Sequence, residues 1–138
     1  MLWRYAKVFM VIFASCELIG TGTVAFSKPE RAIWSTMALV DGNARNAFLS
    51  AVTKFADKEA FAIRTSQPRD DGTHFLVQMW RDDVNIVILN PLDDPTQFNC
   101  FFYQTGVPPV PDAIVDDLAK HLRGQLGLIP GVVFKDDN

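Results

Sequence analysis

The chain has 138 residues, 49% hydrophobic and 21% charged, which is room for one domain with its own core and too apolar for a disordered chain. Its formal net charge is −3, and from residue 16 onward 11 basic residues face 16 acidic ones without any Lys/Arg run. Such a balance argues against binding to phosphate backbones.

Residues 1–7 carry Arg4 and Lys7 and no acid, and Val8 to Ser15 are all apolar or small. A cationic head before a short apolar block has the form of an export signal, because the head stays cytoplasmic while the block partitions into the bilayer. The block is too short to span, since crossing takes about 20 apolar residues, and Glu17 prevents its extension to Phe26.

Phe13-Ala14-Ser15-Cys16 places an apolar and two small residues before a cysteine. It resembles the processing box of bacterial lipoproteins, and the resemblance covers only these first sixteen or so residues. It implies that Cys16 is lipidated and becomes the mature N-terminus on the periplasmic side of the envelope. Cleavage after Ala25-Phe26-Ser27 to give a soluble secreted protein, an uncleaved membrane-associated segment, and a buried first helix are the alternatives. The expected organisation is a signal over 1–15, a tether over 16–30 and one domain over 31–138.

Arg31 to Val40 has mixed periodicity and reads equally as strand or helix. Asp41-Gly42-Asn43 breaks the pattern and offers helix-capping chemistry. Ala44, Ala47, Phe48, Ala51, Val52, Phe55 and Ala56 then recur at three- and four-residue spacing, which predicts a helix ending near Lys58.

From Ala60 the period becomes two. Strands are expected from Phe61 to Thr65, His74 to Arg81, Val84 to Leu89 and Gln97 to Gln104, with connections short enough to make an antiparallel meander. Val84 to Leu89 is apolar on both faces and reads as a central strand. The prolines of Thr105 to Pro111 make a stiff crossover. A second helix follows, with Ile114, Val115, Leu118, Leu122 and Leu126 on one side and Gly124 or Gly127 at its end. Val132 to Phe134 is a candidate last strand.

The expected fold class is therefore α+β: a two-layer sandwich of a four-stranded antiparallel meander with two helices on one face, in the order α-β-β-β-β-α with a possible short C-terminal strand.

Chemistry-bearing patterns are sparse. Cys100, within an apolar strand, reads as a buried thiol. His74 and His121 have no metal-ligand spacing around them, and no nucleophile elbow or glycine-rich phosphate loop is present. No catalytic residue, cofactor or metal is expected. Two features invite a protein partner. Alternation puts His74, Leu76, Gln78 and Trp80 on the sheet face away from the helices, with Tyr103 beside them. Topology also puts Asp70, Asp71, Asp93 and Asp94 on one acidic rim, although Asp is first of all a turn residue.

The functional expectation is a non-enzymatic, envelope-localised module that binds a protein, such as an inhibitor or immunity protein or an accessory subunit. The alternative is a small-molecule carrier or hydrolase with a pocket between sheet and helices near His74 and Trp80.

Overall fold

The computed structural model describes residues 32–67, 72–91 and 93–135. The expected signal and tether lie outside them.

In chain order the elements are β1 (Trp34–Val40), a 3-10 turn (Gly42–Ala44), α1 (Arg45–Lys58), β2 (Ala62–Ser66), β3 (Leu76–Trp80), β4 (Val84–Leu89), β5 (Gln97–Gln104), α2 (Asp112–Leu126) and β6 (Val132–Lys135). The strands form one six-stranded sheet in the order β2-β3-β4-β5-β1-β6, antiparallel throughout.

The α+β class stands. The strand count and order need correction: among the described residues there are six strands rather than four, β6 being the optional C-terminal one, and a strand, β1, precedes the first helix described. The expected meander is present as β2 to β5. It is extended by β1, which pairs with β5 on one side and β6 on the other.

β1 was ambiguous because both of its faces are apolar or small. Thr36, Ala38 and Val40 turn into the core, while Ser35, Met37 and Leu39 face the other way. What decides for strand is pairing: Met37 to Val40 bond neighbours on both sides, and satisfying those backbone groups outweighs weak local propensity.

The helices carry the chain across the sheet. β1 and β2 are four strand spacings apart, roughly 19 Å at the usual interval, and the 14 residues of α1 rise about 21 Å. α1 is therefore about the length its crossover needs. It buries Phe48, Val52, Phe55 and Ala56. α2 buries Val115, Leu118, Ala119, Leu122 and Leu126, and returns the chain past β1 to β6.

All of these belong to one core with Ala38, Val77, Met79, Ile86, Ile88, Phe98, Cys100 and Phe102, so both helices lie on the same sheet face. Phe48 meets Phe98 with ring centroids 4.6 Å apart, and Trp34 meets Phe102 edge-on at 5.1 Å. Burying each of the three Phe rings contributes about 1.5–3 kcal/mol of transfer free energy.

The helix ends depart from expectation in one respect. Asp41 makes no side-chain cap; its carbonyl accepts from the Ala44 amide at 2.8 Å to start the 3-10 turn. α2 begins after Pro111 and closes at Gly127.

Candidate functional site

The sheet face opposite α1 and α2 is assembled from alternate residues of every strand, and the register fixes their rows. One row runs Ala62, Trp80, Asn85, Tyr103. The next runs Arg64, Gln78, Val87, Phe101, Ser35. A third runs Ser66, Leu76, Leu89, Asn99, Met37, Lys135. Beyond them Leu39 pairs with Gln97 and Val133. None of these positions is acidic, although the chain as a whole is.

Exposure on this face is uneven. Trp80 is 40% exposed at one end and Val133 61% at the other. Tyr103 is half-buried in Trp80's row, whereas Leu76 and Val87 are buried. Gln78 is only 1% exposed, and neither its amide nitrogen nor its amide oxygen has a hydrogen-bond partner. His74 precedes β3 rather than belonging to it. It is buried, with its Nδ1 3.0 Å from the Thr73 hydroxyl. Of the residues expected to form a recognition surface, Trp80 and Tyr103 therefore share one row at its accessible end, while His74, Leu76 and Gln78 are buried.

Two polar devices frame the sheet ends, and local composition signalled neither. Asn90 is buried between the β2–β3 and β4–β5 connections. Its Oδ1 accepts from the Phe75 amide at 2.8 Å, and its Nδ2 donates to the carbonyls of Gln97 at 2.7 Å and Pro95 at 3.2 Å. At the opposite end Arg81 donates from Nε to Asp83 Oδ1 at 2.6 Å and from Nη2 to Oδ2 at 3.0 Å. Its Nη1 reaches the Glu59 carbonyl at 2.7 Å, and the guanidinium lies 4.5 Å from the Phe61 ring centroid. One side chain thus ties the β3–β4 turn to the end of α1. The hydrogen bonds from Arg81 hold the Asp83 carboxyl below the usual carboxylate range.

Asp70 and Asp71 lie outside the described residues. Asp93 is exposed. Asp94 Oδ1 accepts from the Thr96 amide at 2.9 Å and the Thr96 hydroxyl at 2.6 Å, and these bonds lower its pKa. Asp94 is thus used by its own turn, as Asp in such positions commonly is.

Among the described residues no group of three or more His, Cys, Asp or Glu is placed to hold a metal. Cys100 is fully buried on β5, and burial pushes its thiol up to about 12, so it is not a thiolate at neutral pH. Cys16, the expected lipidation site, lies outside the described residues. No helix among them is long and apolar enough to cross a membrane.

A cavity of about 320 Å³ opens where β1 begins beside α2, lined by Ile33, Trp34, Asp112, Ala113, Val115 and Asp116. Neither His74 nor Trp80 lines it, so the cavity is not where the alternative reading expected one. Its residues come from two segments nearly 80 positions apart, and nothing in either segment announces the other.

No protein-family model matches the chain, and no curated protein matches it.

Proposed function

We propose that the chain is a non-enzymatic binding module of the cell envelope that docks a protein partner on the sheet face opposite α1 and α2, entered from the Trp80 end. The observation that carries this reading is Trp80: a large aromatic side chain, 40% exposed, in one row with Asn85 and the half-buried Tyr103. Aromatic rings beside amides are enriched among the few residues that dominate protein–protein affinity. A partner contacting the neighbouring turns would meet the exposed Asp82 there, and Asp93 at the far end, so its own rim is expected to be basic. An inhibitor or immunity protein and an accessory subunit of an envelope assembly both suit a small module of this kind.

The N-terminal residues supply the address in this reading. Arg4, Lys7, the apolar stretch to Ser15 and the following Cys16 support delivery to the envelope with a lipid on Cys16. Replacing Cys16 by Ser is then expected to release the protein from the membrane fraction and remove its acyl label. Retention of both ends the lipid-anchor reading.

Docking is tested by affinity purification from the native envelope with the wild-type chain and with Trp80→Ala. A partner that docks on this face loses about 2 kcal/mol or more of affinity in the variant, while the melting temperature barely moves. A specific partner retained equally by Trp80→Ala rejects the face. A large fall in melting temperature makes Trp80 a packing residue instead.

A further inference from the structure

We infer that the cavity between β1 and α2 binds an organic cation, an alkylammonium or guanidinium head on a short apolar stem. Four observations meet there. Trp34 supplies an aromatic wall, and its edge-on contact with Phe102, centroids 5.1 Å apart, fixes the indole in place. Val115, buried in the core, supplies an apolar floor. Asp112 and Asp116 are one helical turn apart and so face the same way. Among the described residues each has a single oxygen engaged: Asp112 Oδ1 accepts from Gln104 Nε2 at 2.8 Å, and Asp116 Oδ2 pairs with Lys120 Nζ at 2.8 Å. The second oxygen of each carboxylate remains for a ligand.

Other ligand chemistries fit worse. An anion meets two carboxylates. A neutral apolar molecule covers those carboxylates without pairing them, which costs free energy. A bare metal ion lacks a third protein ligand, since no group of three His, Cys, Asp or Glu occurs among the described residues. An organic cation uses the carboxylates through charge-assisted bonds and gains from an aromatic ring among its neighbours. The positive end of α2 opposes it and Lys120 competes for Asp116, so binding is expected to be weak. The volume, near the lower limit for ligand pockets, calls for a small head and stem.

The test is a ligand-observed NMR titration of the full chain with n-butylammonium and n-butylguanidinium chloride, with n-butanol as the uncharged control. Ionic strength is held constant with NaCl. Saturable binding with a dissociation constant on the order of 1 mM is expected for the cations and none for the alcohol. The Asp112→Asn/Asp116→Asn double variant should bind about fivefold more weakly or worse. Should that variant fail to fold, Lys120→Met provides a second measurement: it frees Asp116 and should tighten binding. Butanol binding as well as butylammonium, or affinity unchanged in whichever of these variants folds, overturns the inference. A capped pentapeptide with one central Lys identifies the source of the cation. Tighter binding than butylammonium points to a polypeptide side chain, and weaker binding to a free small amine.

Discussion

Gln78 sits where a sheet would ordinarily place an aliphatic side chain. Both of its amide atoms are buried without partners, and its cross-strand neighbours on that face are Arg64 and Val87. An unsatisfied buried polar group costs about 1–3 kcal/mol, so Gln78→Met, which keeps the length and removes the amide, is expected to raise stability by about 1 kcal/mol or more. Denaturant unfolding checks this: the midpoint should rise at unchanged slope. Arg81 argues in the opposite direction. Its guanidinium serves Asp83, the Glu59 carbonyl and the Phe61 ring together, so Arg81→Ala removes a clamp between a turn and a helix end. Because the side chain is a quarter exposed, solvent screening discounts the ion pair, and a loss of about 1–2 kcal/mol is expected in the same measurement. Strand alternation in the sequence puts Trp80 and Gln78 on one face. It cannot say that one is open and the other closed, because that depends on neighbours in other strands.

At the scale of elements, periodicity was informative wherever one face of an element differs from the other. α1 shows its stripe as Phe48, Val52, Phe55 and Ala56, and α2 as Val115, Leu118, Leu122 and Leu126, where the spacing predicts, although Ala47 and Ile114, read as part of the same stripes, are exposed. β1 resisted because Met37 and Leu39 are as apolar as the core-facing Ala38 and Val40, so only its two pairing partners identify it. β6 is fixed by a junction equally hidden from local inspection. Gly131 has φ +91, its carbonyl accepts from the Asp41 amide at 2.9 Å, and an added Cβ would come within 3.1 Å of Asp41 and Ala44 side-chain atoms. Gly131→Ala is therefore strained both in backbone and in space, and a cost of about 1–3 kcal/mol is expected. Hydrogen exchange checks its location: β6 amides should lose more protection than those of β3 and β4.

For the whole molecule, pH reports on charges that folding has paired. The Asp83 carboxyl is lowered from an ordinary value of 3.8 chiefly by its hydrogen bonds from Arg81, and Asp94 likewise by Thr96. A depressed carboxyl contributes stability above its unfolded pKa and loses it as pH falls through the folded one, so an acid limb is expected below about pH 4. Lys120, raised above 10.5 mainly by Asp116, works the other way: its contribution is complete below that value and fades as pH climbs past it. Asp83→Asn should therefore lower the melting temperature at pH 7 and converge with the wild type only once the pH has fallen through the lowered pKa of the folded Asp83 carboxyl. A gap that persists in acid would mean that the Asp83 charge is not what stabilises the turn. The core offers an independent probe of the same cooperative unit, since Cys100 lies within it, fully buried, with its thiol pushed up to about 12. In a Cys16→Ser chain the remaining thiol is expected to resist a disulfide reagent at pH 8 and to react only through opening of the core. Its rate should then rise with denaturant in step with unfolding, and prompt labelling in native buffer would show that the sheet and helices do not close over β5 as one core.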